Sequence, residues 1–212
     1  MALPPLPVVK GRYVSGRNLQ VARKHLSAHL KYAQYRKRGE HESKEDRYLF
    51  SQDHDRVDRK EAVQEVMEHT SRSVSYHKII FSPSEQERIE DFRQWVRDQM
   101  RELQERKGVR LHWYALVHAH DREQTNEPHV HVVLAGAGED VQTGERTTVR
   151  MEKEDYAFLR EQGREQGNFV FYHELETAVQ NLDAHDTLGH EHPIPAFPSR
   201  SDERHEDAGK AH

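Results

Sequence analysis

Cysteine is absent from the 212 residues. Disulfides and thiolate metal sites are therefore excluded, any bound metal must rest on histidines and carboxylates, and the usage fits a cytoplasmic protein. No run reaches the ~18 consecutive apolar residues of a membrane helix, and the opening MALPPLPVVKGR lacks the apolar core of an export signal. A soluble, unexported chain with no membrane partner is expected. Apolar residues are sparse, 34% against 33% charged, so one core, long solvated helices and at least one disordered end are expected. Acid is missing from one end. Residues 1–38 carry nine Lys and Arg and no Asp or Glu, residues 139–212 carry eight basic and 17 acidic groups, and the whole chain is net −5. A basic end of this kind attracts phosphate even when the molecule is acidic overall.

Hydrophobic periodicity lays out the elements. After a Pro-rich basic leader (1–16), Arg17 to Arg38 reads as an amphipathic helix with Leu19, Ala22, Leu26, Leu30 and Ala33 at three- and four-residue steps, ended by Gly39. RYLFSQD (Arg47 to Asp53) reads as a short strand, and Asp58 to Thr70 as a helix capped by Asp58. A strand from Val74 to Phe81 is followed by a long helix from Ser84 to Lys107, with Ser84 and Glu87 at capping-box spacing and Gly108 closing it. VRLHWYALVHAH and HVHVVLAG are two strands joined by the polar loop DREQTNEP, a hairpin by their spacing. TTVRM adds a strand, EKEDYAFLREQGREQ a helix, and Phe169 to Leu182 a further short helix. From Asp183 onward the composition is that of a disordered acidic, histidine-rich tail, so the expected domain spans 17–182 and the tail 183–212.

Histidines recur at alternate positions in both strands of the hairpin. Residues i and i+2 of a strand share a face, so His129 and His131 look one way and His118 and His120 look one way. With His120 opposite His129, His118 falls opposite His131, and opposed Cβ atoms lie ~4.5 to 5.5 Å apart. Four imidazoles then converge, of which three suffice for a divalent metal with open positions for water or a phosphate oxygen. Asp121 and Glu127 are placed to orient a ring through its second nitrogen. The histidines outside this hairpin receive no metal role, and His185, His190 and His192 in the tail amount at most to weak adventitious metal binding.

Projection of the basic helix at ~100° per residue sets His25, His29, Tyr32 and Arg36 along one line beside the apolar stripe. Tyr32 then sits at the edge of the buried face among cations, and Tyr35 projects farther toward solvent. A tyrosine near basic groups can attack a phosphodiester while a histidine-bound cation polarises the phosphate.

Three segments together resemble the relaxases and mobilisation nucleases of the HUH endonuclease superfamily, in the branch that includes the agrobacterial T-DNA border nickase. HLKYAQYRKRG is similar to the helix bearing the nucleophilic tyrosine, YHKIIFSPSE to a strand ending in Ser-Pro, and HWYALVHAHDREQTNEPHVHVVLAG to the three-histidine motif. The likeness spans roughly residues 17 to 136 in the family's order. It implies an α+β fold, an antiparallel sheet of about five strands with helices packed on it. It also implies Tyr32 as nucleophile, with Tyr35 as the runner-up, and His129 and His131 as metal ligands. The third ligand is His118 by the register of Trp113 and Ala115, or His120 by the shorter interval to Pro128. Arg23, Lys24, His25, His29, Lys31, Arg36, Lys37 and Arg38 are the expected DNA contacts.

The implied reaction is site- and strand-specific nicking and rejoining of single-stranded DNA at a transfer origin, in plasmid mobilisation or conjugation. It needs Mg²⁺ or Mn²⁺, with Zn²⁺ as the alternative, and auxiliary relaxosome proteins are the implied partners. Conservation of the bond energy removes the need for ATP, in keeping with the absence of a Walker-type glycine loop. The rivals are a non-catalytic DNA- or metal-binding protein derived from a relaxase, a rolling-circle replication initiator and a histidine-triad nucleotide hydrolase. The last is disfavoured because the third alternating position is Val133.

Overall fold

In the computed structural model, residues 6–35, 48–84, 89, 91–118 and 128–166 are described. Four strands form one antiparallel sheet in the order β1-β2-β5-β4: β1 (Val8–Ser15), β2 (Val74–Ser82), β5 (His129–Ala135) and β4 (Trp113–His118). A smaller sheet joins β3 (Val109–Arg110), β6 (Ala137–Asp140) and β7 (Arg146–Thr148) in the order β3-β6-β7. The α+β class is as expected, with four strands in the main sheet where about five were expected.

Strand alternation gives the main sheet two buried faces. Ile79, Phe81, Val130, Val132, Leu134, Ala115 and Val117 pack with Trp95, Val96, Met100 and Leu103 of α3 (Phe92–Lys107) and Leu159 of α4 (153–166). On the opposite face Tyr76, Leu116, Val133 and Ala135 pack with Ala22, Leu26, Leu30 and Ala33 of α1 (Leu19–Tyr35) and Ala62, Val63 and Val66 of α2 (Arg59–Glu68). Both central strands are therefore buried along most of their length, with Ser75, His77 and the two histidines of β5 as polar exceptions to the apolar pattern. His118, His129 and His131 lie on the α1 and α2 face, at the end of the sheet where α1 finishes.

Local chemistry sets the boundaries. Asn18 Oδ1 accepts from Val21 N–H (3.1 Å) at the start of α1, and Asp58 accepts from the N–H groups of Lys60 and Glu61 at the start of α2. Gly108 ends α3 in the left-handed conformation (φ 62°), which a side chain would disfavour. Gly136 links the two sheets, its N–H donating to Ser75 O at 2.9 Å and its carbonyl accepting from Val149 N–H at 3.0 Å. A Cβ there would lie 2.0 Å from Val74 O, so only glycine passes.

Several expectations are corrected. The segment read as a leader contains β1, whose Val9 is buried against the core and whose Gly11 lies close to Tyr156, while Lys10, Arg12 and Tyr13 are exposed. The long helix begins at Phe92, because Asp91 accepts from Arg93 and Gln94 N–H and so supplies the cap expected of Ser84; Glu87 lies outside the described residues. The single strand expected from Val109 onward is broken at Leu111, whose N–H turns to Gln104 Oε1 of α3 (3.0 Å), so β3 and β4 join different sheets. Leu49 and Phe50 form isolated bridges, to Val57 and Ala115, in place of a strand. Leu19 is 47% exposed and leaves the buried stripe. Gly39, the helix expected at Phe169 to Leu182 and the tail lie outside the described residues.

Candidate metal centre and nucleic-acid face

The hairpin forms with a register two residues from the expected one. His118 stands opposite His129, and Leu116 stands opposite His131. His118, His129 and His131 nevertheless converge, with ring centroids 4.6 to 5.1 Å apart and ligand nitrogens all within 4.8 Å of one another. Such a donor set fits a divalent ion. The expected fourth member, His120, and the two acids Asp121 and Glu127 lie outside the described residues.

A contact 85 residues distant in sequence orients the most buried of the rings. His118, 3% exposed, places Nε2 at 3.1 Å from the carbonyl oxygen of Ala33 near the end of α1. A carbonyl only accepts, so Nε2 carries the hydrogen and Nδ1 is left with the lone pair that could hold a metal, 3.3 Å from His129 Nε2. Fixing a ligating imidazole through its other nitrogen is how proteins set ring orientation and basicity. The same helical turn carries Tyr32, which is 63% exposed.

One turn earlier, His29 meets His131 edge-on with centroids 5.8 Å apart. Burial first, and then the charges of Lys78 and Arg12, together lower its pKa from 6.5 to about 4. It is therefore neutral at pH 7. His25 is exposed on α1. Arg23, Lys24 and Lys31 lie on the other flank, where with Arg59 and Lys60 of α2 they line a groove of about 750 Å³. Tyr35 belongs to that flank too, its ring lying 5.5 Å from the guanidinium of Arg59. Arg36, Lys37 and Arg38 lie outside the described residues.

Cations that sequence reasoning missed share the histidine face. Across the register, Lys10 of β1 pairs with Ile80 and through it with His131, and Arg12 pairs with Lys78 beside them. Lys10 and Arg12 are exposed, and the Lys78 ammonium has its pKa lowered by partial burial and then by Arg12. They occupy the part of the face that the buried stripe of α1 does not seal. Alternation within β1 was the only sequence signal for this placement, and the preceding prolines obscured it.

Val133, the position that a third alternating histidine would need, is buried under α1 and α2. Among the described residues, no helix is long and apolar enough to cross a membrane. No family model matches the chain, and no curated protein shows significant similarity to it.

Proposed function

We propose that the protein is a relaxase-type nuclease that nicks and rejoins single-stranded DNA through Tyr32, with a divalent cation on His118, His129 and His131. The observation that carries this reading is the hydrogen bond from His118 to Ala33 O, which ties the histidine cluster to the helical turn bearing Tyr32. A bound cation would supply positive charge beside the scissile phosphate. Lys10, Arg12 and Lys78 would hold flanking phosphates on the open side of the face, and the α1–α2 groove would carry the strand beyond it.

In the step proposed, Tyr32 Oη bonds to phosphorus and the bond from phosphorus to the 3′ oxygen breaks. The phenol gives its proton to solvent, and the departing oxygen takes one up as a 3′-OH. A 5′-phosphotyrosyl ester remains, and the reverse attack by a 3′-OH rejoins the strand. Tyr32 is preferred to Tyr35 because Tyr35 packs toward Arg59 on the flank away from His131. Plasmid mobilisation or conjugative transfer is the process such chemistry serves, with auxiliary proteins at the transfer origin as partners.

The test is covalent capture. With Mn²⁺ and a pool of single-stranded oligonucleotides, the wild-type chain and Tyr35→Phe should form an adduct that survives SDS, and Tyr32→Phe should form none. An adduct from Tyr32→Phe removes the nucleophile. Metal-dependent DNA binding without any wild-type adduct replaces the nuclease with a non-catalytic binding protein.

A further inference from the structure

A second cluster lies at the other end of β4, roughly 20 Å from His118 at the rise of a strand. The rings of His69 and His112 are stacked there, with centroids 3.5 Å apart and planes 16° from parallel. A carboxylate stands at each edge of the stack. Glu139 of β6 faces both Nε2 atoms, at 3.3 Å from His69 and 2.7 Å from His112. Glu65 of α2 faces both Nδ1 atoms, with Oε1 at 3.7 Å from His69 and 3.4 Å from His112.

Hydrogen counting exposes a deficit. His69 Nδ1 lies 3.0 Å from the main-chain carbonyl oxygen of Glu65, which only accepts, so that nitrogen carries the hydrogen of a neutral ring. Its Nε2 lone pair is then aimed at Glu139 Oε1. His112 has one hydrogen for two carboxylates and gives it at the 2.7 Å contact with Glu139, which turns its Nδ1 lone pair on Glu65 Oε1. Neutral rings thus leave two contacts of lone pair against lone pair. Two added protons would remedy this only by setting two positive rings face to face at 3.5 Å. One divalent cation supplies the same charge without that repulsion.

We propose that His69 Nε2, His112 Nε2 and the Glu139 carboxylate form a binding site for a zinc-class divalent ion, with Glu65 holding both rings from behind. Tetrahedral zinc with ordinary Zn–N bonds sets two nitrogens about 3.3 Å apart, and because each lone pair lies in its ring plane, binding would tilt the two rings open from their 16° stack so that both Nε2 atoms point at the ion. On binding, His112 keeps one hydrogen, which transfers from Nε2 to Nδ1 and donates to Glu65, so no proton is gained or lost by the ring. Two imidazoles and a carboxylate select zinc over magnesium or calcium, and the fourth position is left for water. The frame is already tied together: Ala137 N–H donates to His69 O (2.7 Å), Ala135 N–H to His112 O (2.8 Å), and the Arg146 guanidinium to the carbonyls of Glu68 and Thr70 (2.7 and 2.6 Å). The ion would cross-link the end of α2 to β6 and to the turn before β4.

The experiment uses the full chain carrying His129→Ala and His131→Ala, so that the first cluster cannot answer for the second. After chelator treatment, this protein should take up one equivalent of Zn²⁺ by calorimetry. Its melting temperature should rise by roughly 5 to 10 °C at a hundredfold excess of free Zn²⁺ over Kd. Adding Glu139→Gln, which keeps a hydrogen-bond acceptor at the same place, should abolish both effects while far-UV circular dichroism stays unchanged. Zinc uptake that survives both Glu139→Gln and His112→Gln overturns the site, as does a melting temperature that rises on acidification but ignores Zn²⁺.

Discussion

Replacing Leu30 with alanine should weaken metal binding at a centre to which Leu30 contributes no ligand. Leu30 is 3% exposed in the stripe that seats α1, one turn before the Ala33 carbonyl that holds His118 at 3.1 Å. Truncating a buried leucine costs about 3 kcal/mol of stability or somewhat more, because the cavity collapses only in part. Part of that collapse is movement of α1, and the Ala33 carbonyl moves with it. Outer partners of ligating histidines are worth about 10- to 100-fold in metal affinity, or about 1.4 to 2.7 kcal/mol. The assay is a Mn²⁺ titration by calorimetry at low temperature, in a Glu139→Gln background so that one centre is read, with urea unfolding run in parallel. Leu19→Ala, on the same helix but 47% exposed, is the control and should change neither quantity. If Leu30→Ala loses the expected stability yet binds Mn²⁺ as its parent does, α1 does not position the cluster and the coupling of Tyr32 to the metal fails with it.

Three other perturbations test the face, the core and the junction of the sheets. Arg12→Ala and Lys78→Ala should each weaken single-stranded DNA binding and reduce the dependence of log affinity on log salt by about 0.7 per lost phosphate contact, read by fluorescence anisotropy; unchanged slopes would remove both residues from the interface. His77 is buried with Nε2 donating to Val149 O at 2.9 Å, and burial holds its pKa below the ordinary 6.5 even though that bond raises it. The unfolded chain therefore binds the proton first, and stability present above pH 6.5 is lost as pH falls below it, by up to about 1.4 kcal/mol per pH unit for one group. His29 adds to the slope in the same direction. Denaturant unfolding in EDTA should show this loss, and His77→Gln should flatten it by one proton. Gly136→Ala should prevent cooperative folding, since its Cβ would fall 2.0 Å from Val74 O, whereas Gly144→Ala, at φ 72° in open space, should cost about 1 to 2 kcal/mol; thermal melts separate the two.

The elements most legible in the sequence are those whose signals are local. Asp58 and Gly108 mark helix ends through their own side chain or its absence, and Leu26, Leu30 and Ala33 reveal a buried face by their spacing alone. Non-local contacts were hidden. The broken strand at Leu111 depends on Gln104 Oε1, and α3 is capped by Asp91 where the spacing pointed to Ser84. Clustering of His69 with His112 depends on three segments meeting. Neither histidine has a periodic partner, so nothing in the chain distinguished them from ordinary surface residues.

The hairpin register shows the same limit at the centre itself. A slip of one residue would have turned the whole of β5 inside out, and Val130 and Val132 forbid it by their burial against α3. A slip of two leaves every side chain on its own face, so the hydrophobic pattern cannot tell His118 opposite His129 from His120 opposite His129. What separates the registers is outside the strands: in the observed one, His118 reaches the Ala33 carbonyl while its Nδ1 still faces His129. Moving the pairing by two would put position 120 in that place and carry His118 a dipeptide rise, about 6 to 7 Å, down the sheet toward Leu116's present neighbours. In the proposed centre that single carbonyl would select the third ligand, the nitrogen it offers and the helical turn that stands over it, which is why Leu30, on the buried face of α1, belongs among the residues to test.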